Sequence, residues 1–239
     1  MSRTRTIISF GSGPGISNHT ISHFASHGFN HAILLARNTQ RLENDDAPFV
    51  QKASSNPNLK VDTITLDLSN LSAIPAALKK IEDLTQGEDV EVVFFNAARI
   101  KLSGMLEVPV GEIEEDFKTT NLALYLIAQW AIPRLITLSQ TIAKSASPST
   151  SKPSLLVTNS HLPWDPVPSL LSLSLVKASQ RNMVQSFNRA FGGSGIHVGL
   201  ISVEGVVAPE NKELNPVNIG EKVWEFFEGG EGLEVNIRD

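Results

Sequence analysis

Glycines at positions 11, 13 and 15 follow directly on the apolar run 6–10 and precede a stretch of helical character. Backbone without a Cβ turns sharply there, and the free N–H groups of a helix start offer positive potential to a phosphate. Three glycines within Gly11-Ser12-Gly13-Pro14-Gly15, before Ile16 and Ser17, are more than an ordinary strand-to-helix turn needs. A second cluster, Ser160-His161-Leu162-Pro163-Trp164-Asp165, follows the apolar run 154–158. His161 could exchange a proton near neutral pH, and Asp165 could do so if burial raised its pKa. Trp164 could stack on a planar or cationic substrate. The alternative is a proline-containing loop capped by Asp165, with Trp164 covering the core. Arg99 could orient a carboxylate or stabilise developing negative charge, or simply form a surface salt bridge. His19, His23 and His27 recur every four residues and share one helix face. No carboxylate or cysteine completes a ligand set beside them, so an exposed face accounts for them and no metal is expected.

The elements that must position these groups alternate in type. Strand-like runs lie at 6–10, 31–36, 60–66, 90–95, 154–158, 196–202 and 233–237. Most are nearly continuous apolar runs, as strands covered on both faces require. Stretches of crossover length separate them, which suits right-handed βαβ units. A long helix is expected at 112–138, with Phe117, Leu122, Leu126, Ile127 and Trp130 at helical spacing and Pro133 kinking its end. The polar tract 139–152 reads as a mobile surface loop. The expected architecture is one α/β domain over 1–239, a doubly wound parallel sheet of about seven strands in three layers.

Composition narrows the classes further. The 239 residues are 41% hydrophobic and 19% charged, which excludes a disordered chain. Twenty Lys and Arg against 25 Asp and Glu leave −5, with no basic footprint for nucleic acid. The absence of cysteine excludes disulfides and thiol nucleophiles. No continuous run approaches 18 apolar residues and no apolar leader follows Met1, so a soluble, cytoplasmic chain with no membrane partner is expected.

The common dinucleotide spelling G-x-G-x-x-G fails because residue 16 is Ile. Gly11-x-x-x-Gly15-Ile16 does fit the spacing used by short-chain dehydrogenases/reductases. Other positions follow in that family's order: Arg37-Asn38 after the second run, Asp67 after the third, and Asn96-Ala97-Ala98 after the fourth. Asn121 falls on the long helix, Ser160 ends the fifth run, and Lys177 opens the next helix. The sequence resembles a short-chain dehydrogenase/reductase of Rossmann-like fold over roughly residues 5–210.

The resemblance implies a cofactor site formed by Gly11, Ser12, Gly13, Gly15, Ile16, Arg37, Asp67, Asn96, Ala97, Ala98, Lys177 and Val206. Asp67 would meet the adenine, with a local helix cap as its rival role. Ala36 supplies no acid after the second run, and a guanidinium at Arg37, helped by Arg41, would favour NADP(H). A solvated surface arginine is the alternative. The implied catalytic set is Asn121, Ser160 and Lys177, with Asp165 and His161 as candidate proton donors and Arg99 and Trp164 toward substrate. Pairing of the two long helices, near Asn121 and Lys177, implies a homodimer or homotetramer.

One departure is chemical. The family's tyrosine, four residues before the lysine, is Leu173 here, and the only tyrosine in the chain is Tyr125. Tyr125 lies four residues after Asn121 and could be catalytic or belong to a dimer interface. Ser17 replaces a glycine, Phe10 a threonine, and Glu204-Gly205 a Pro-Gly pair. The expected function is NADP(H)-dependent reduction of a small organic carbonyl or imine with a non-tyrosine proton donor. Two alternatives share the fold: a non-redox isomerase, lyase or cyclase, and a non-catalytic NADP(H)-binding protein.

Overall fold

The computed structural model describes residues 4–145 and 151–239. Its strands are β1 (Arg5–Phe10), β2 (His31–Ala36), β3 (Lys60–Thr65), β4 (Asp89–Phe95), β5 (Ser154–Asn159), β6 (His197–Val203) and β7 (Glu234–Ile237). Each expected strand is present, with ends moved by no more than one residue. All pair in parallel in one sheet of order β3-β2-β1-β4-β5-β6-β7. The order reverses between β1 and β4, and the carboxyl ends of these two strands open a crevice there.

The helices are α1 (Ile16–Ser26), α2 (Thr39–Arg41), α3 (Ala47–Ala53), α4 (Ile74–Leu84), α5 (Val110–Phe117), α6 (Ala123–Ala143), α7 (Leu171–Phe191) and α8 (Pro216–Gly229). Successive strand residues face opposite layers. Ile8, Phe10, Val93, Phe95, Leu155 and Val157 pack with residues of α4, α6 and α7. Ile7, Val92, Phe94, Leu156 and Ile201 pack with residues of α1, α3 and α8. Both faces are therefore dry, which is why the strands read as unbroken apolar runs.

Two expectations need correction. The long helix continues through Ala143, ten residues past Pro133. Pro133 and Gln129, whose carbonyl loses its helical partner, both lie on the exposed face, where water replaces that bond. The first part of the tract 139–152 is consequently helical up to Ala143, and its residues 146–150 lie outside the described set. The composite helix 110–143 is long and apolar enough to span a membrane by composition. In the fold its buried side chains, among them Leu124, Ile127, Ala131 and Leu135, fill the layer against the sheet.

Neither of the two π-helical turns, Leu42–Asp46 and Lys118–Leu122, was expected from periodicity. A one-residue widening barely disturbs an apolar pattern, yet it re-aims the side chains inside it. Both turns flank the crevice.

His19 and His23 of α1 and His27 at its C-terminal cap are occupied by aromatic packing. His19 meets Phe49 edge-on at 4.9 Å, and His27 stacks on Trp224 at 4.4 Å. Burial holds the pKa of His23 below the usual imidazole value, helped by neighbouring His27. Among the described residues no group of three or more His, Cys, Asp or Glu is placed to hold a metal.

Candidate functional site

The crevice between β1 and β4 begins with a close approach. Gly11 has φ +88°, and a Cβ there would lie 2.7 Å from Cα and N of Ala97. Only glycine fits both the torsion and the space. The Gly11 and Ser12 amides donate to the Leu35 carbonyl, and the Asn96 side chain donates to the Gly11 carbonyl. The loop thus binds the ends of β1, β2 and β4 together. Gly15 caps α1 without any side-chain hydrogen bond, so no side chain competes for the first amides of that helix. Ser17, standing in for a glycine, is fully buried and shares a 2.7 Å hydrogen bond with Ser9 of β1. Phe10, in place of a threonine, simply joins the core.

A cavity of about 350 Å³ opens over this loop, lined by Gly11, Ser12, Ala36, Arg37, Asn38, Arg41, Leu66, Leu68, Asn96, Ala97, Ala98, Arg99 and Thr119. It gathers Gly11 and Ser12 of the predicted glycine loop, both arginines after β2, the Asn96-Ala97-Ala98 segment and Arg99, while Gly13, Gly15 and Ile16 lie outside the lining. Arg37 is exposed, and among the described residues it makes no hydrogen bond or ion pair. Arg41 lies against the loop, its Nη2 donating to the Ser12 carbonyl at 2.6 Å. Asp67 stands outside the lining. Its Oδ1 accepts from the amide and hydroxyl of Ser69, so one carboxylate oxygen is spent on a local turn. Val206 is 80% exposed on the β6–α8 loop. Glu204, in place of proline, donates its amide to the Ile237 carbonyl, a bond proline cannot make. A slightly larger cavity of about 390 Å³ lies at the amino edge of the sheet, bordered by Lys152, Pro153 and Ile196, far from these groups.

The catalytic candidates divide into two sets. Ser160 and His161 follow β5 directly. The Ser160 hydroxyl accepts from the Leu162 amide at 3.3 Å, which leaves its proton free to donate. Nδ1 of His161 is buried without a hydrogen-bond partner among the described residues. Asp165 is solvent-exposed, so the burial its proton-transfer role requires is missing. Trp164 is half exposed, with the Arg181 guanidinium 5.3 Å from its ring centroid. Arg99 reaches Asp116 at 3.0 Å and Glu115 at 3.3 Å, and Asp116 also accepts a 2.5 Å hydrogen bond from Ser172. Arg99 is therefore both a wall of the cavity and a paired cation.

Lys177 and Asn121 form the deeper set. Leu173 is 7% exposed and packs with Leu162 and Val176. Lys177 lies next to that apolar cluster, 5% exposed, and its Nζ donates to the Thr158 carbonyl at 2.8 Å and to Gln180 Oε1 at 3.1 Å. Burial without a counter-ion pushes its pKa down to about 7. Asn121, within the second π turn, donates to the Val176 carbonyl, while its Oδ1 is buried and unpartnered. Tyr125 is half exposed on the outer side and stacks with Phe187 of α7.

A model of the short chain dehydrogenase family matches residues 5–217. The chain belongs to that family. Among solved structures it is similar to an alcohol dehydrogenase from Thermococcus sibiricus complexed with 5-hydroxy-NADP, at TM-score 0.79 and 19% identity, covering 98% of this chain and 96% of that one. A short-chain dehydrogenase from Sphingobium yanoikuyae in complex with NADPH matches at TM-score 0.76 and 19% identity, covering 98% and 87%. An NADH-dependent reductase complexed with NAD matches at 0.78 and 14%, covering 98% and 95%. At these identities the likeness is one of fold. No curated protein matches the sequence significantly. As a short-chain dehydrogenase the chain falls among oxidoreductases that act on small molecules.

The buried lysine gives a testable sign. Its folded pKa of about 7 lies below the unfolded value of 10.5, so between those values the unfolded chain binds the extra proton. Stability from this group therefore grows as pH rises from about 7 toward 10, by at most about 1.4 kcal/mol per pH unit. Lys177→Met lacks that gain. Its melting temperature should stand highest relative to wild type at pH 7, with the difference shrinking steadily toward pH 10 in parallel melts.

Proposed function

We propose that this short-chain dehydrogenase is an NADP(H)-dependent reductase of a small organic carbonyl or imine that uses a proton donor other than tyrosine. The observation that carries the cofactor choice is Arg37, a guanidinium without a partner among the described residues, at the mouth of a cavity lined by Gly11 and Ser12. The residues present fit such a dinucleotide: a glycine loop closely packed at Gly11, a helix start that no side chain caps, and two cations where the ribose phosphate would sit. When bound, the nicotinamide supplies the reducing equivalents. The chain's own residues must place the substrate and deliver one proton to the reduced oxygen or nitrogen.

Ser160 is suited to hold the substrate oxygen, because its hydroxyl accepts from Leu162 and keeps a free donor. His161, one residue on, has an inward ring nitrogen with no other partner and is suited to release the proton. An imine would need less from this pair than a carbonyl, since its nitrogen binds the proton before reduction. Arg99, restrained by Asp116, sits at the wall where a substrate anion or developing charge would be met. The exposed apolar residues Leu122, Tyr125 and Leu175 on α5–α6 and α7 support pairing of two chains through these helices.

A second reading is favoured by the seal over Lys177. Its amine is turned to Thr158 and Gln180, and Lys177, like Ser160, His161 and Asn121, is absent from the cavity lining, which supports a nucleotide-binding protein without redox turnover. Turnover separates the two. Loss of NADPH absorbance with a panel of carbonyls and imines supports the reductase, and binding with no consumption supports the second reading.

Three outcomes test the primary proposal. NADPH should raise the melting temperature by several degrees and NADH by much less, and Arg37→Ala should weaken NADPH binding about 10–100-fold while leaving NADH unchanged, the worth of one charge-assisted contact. Equal shifts for the two nucleotides in wild type would remove the assignment of NADP(H). For the proton donor, His161→Gln should lower kcat about 10²–10⁴-fold while leaving NADPH affinity unchanged. A kcat unchanged in the variant would exclude His161. Light scattering at micromolar concentration should give a dimer or tetramer, shifted toward monomer by Leu122→Glu.

A further inference from the structure

Arg41 is not simply a second surface cation near Arg37. Its Nε donates to Asp46 Oδ2 at 2.9 Å while its Nη2 holds the Ser12 carbonyl at 2.6 Å. Asp46 is 1% exposed, and its other oxygen accepts from the Asn18 side chain at 2.7 Å. A carboxylate this deeply buried persists only when paired and hydrogen-bonded. Asn18 is itself buried on α1, one turn beyond the glycine loop. The connection therefore runs from α1 through Asp46 to Arg41 and back to the loop.

The π turn Leu42–Asp46 carries Asp46 inward beside Leu42, while Glu43, Asn44 and Asp45 between them stay exposed. Asn38 adds a backbone anchor, its Oδ1 accepting from the Arg41 amide at 3.0 Å. With Nε and Nη2 committed, the Arg41 guanidinium is fixed in plane, and its Nη1 edge has no partner among the described residues. It lines the same cavity as Arg37.

We propose that Asp46 is a positioning residue that fixes Arg41 as the second half of a two-arginine site for a ribose 2′-phosphate. The inference rests on the NADP(H) reading above and adds a residue that never touches the nucleotide. A phosphomonoester with two charges is matched by two guanidiniums, one mobile at Arg37 and one pre-oriented at Arg41. Fixing a long side chain before the ligand arrives removes an ordering cost from binding.

The test is calorimetric titration of the nucleotide-free protein with NADPH, NADH, 2′,5′-ADP and 5′-AMP, for wild type, Asp46→Asn, Arg41→Gln and the double variant. Asp46→Asn should weaken NADPH and 2′,5′-ADP by about 5–20-fold and leave NADH and 5′-AMP unchanged. In the Arg41→Gln background Asp46→Asn should add nothing further to that discrimination. A merely structural role would weaken all four ligands together, and a pyrophosphate contact would weaken NADPH and NADH alike; either result overturns the proposal. Tighter NADPH binding by Asp46→Asn would make Asp46 a repelling counter-charge and also overturn it. If Asp46→Asn does not fold, Arg41→Gln against Arg41→Lys carries the decision: the lysine variant, still cationic but without the fixed plane, must lose most of the discrimination. Wild type that binds no nucleotide, or both nicotinamides equally, would instead be a failure of the NADP(H) reading itself.

Discussion

The contact between Gly11 and Ala97 sets the geometry on which the site depends. The carboxyl ends of β1 and β4 come so close that the residue leaving β1 has no room for a side chain. The chain must then turn away with a positive φ, and the only exit leads across the end of β2, where the Gly11 and Ser12 amides both meet the Leu35 carbonyl. That turn delivers the start of α1 at the crevice with no side chain on its first amides, although the Asn18 amide is taken by the Gly13 carbonyl. The parallel order, reversed between β1 and β4, sends the loops after β2 and β4 to opposite sides of the same opening. Arg37 and Arg41 come from one side, and Arg99 and Thr119 from the other.

Electrostatics divide the cavity along this line. Toward β2 the cations are held in excess: Arg37 has no partner among the described residues, and Arg41 is paired with the buried carboxylate of Asp46. Toward α5 the balance is reversed, since Arg99 faces both Glu115 and Asp116. A dianionic group is favoured at the first end, and a neutral or weakly charged one at the second. On the proposed reading, that asymmetry would suit a phosphorylated ribose at one end of the crevice and a small organic substrate at the other.

Much of this was legible from residue order alone, and the exceptions share a cause. Strand positions were fixed by runs buried on both faces, and the glycine loop by a torsion and a close approach that no other residue tolerates. The end of α6 was misjudged because Pro133 falls on the exposed face, where its missing N–H costs little; periodicity cannot weigh that. Asp46 was hidden within Glu43-Asn44-Asp45-Asp46, which reads as a solvated polar stretch. Only a spacing of four with Leu42 and Val50, both fully buried, hinted that it points inward. The orphaned Nδ1 of His161 had no signal in sequence, because it reflects what surrounding elements fail to supply.

The apolar residue at position 173 has consequences that extend beyond a missing proton donor. A phenol there would stand as a polar neighbour for the lysine one turn on and give it a path toward the crevice. With Leu173 packed against Leu162 and Val176, the amine has no polar group on that side and turns to the Thr158 carbonyl and Gln180. Desolvation then brings its pKa down to about 7, so it contributes less positive potential to the site than an ordinary lysine. On the proposed reductase reading the proton would come from the β5–α7 loop, where the Ser160 hydroxyl keeps a free donor and the adjacent His161 has a ring nitrogen without a partner among the described residues. A substrate already protonated, such as an iminium, relaxes that demand most, because it asks the crevice only for placement and reducing equivalents.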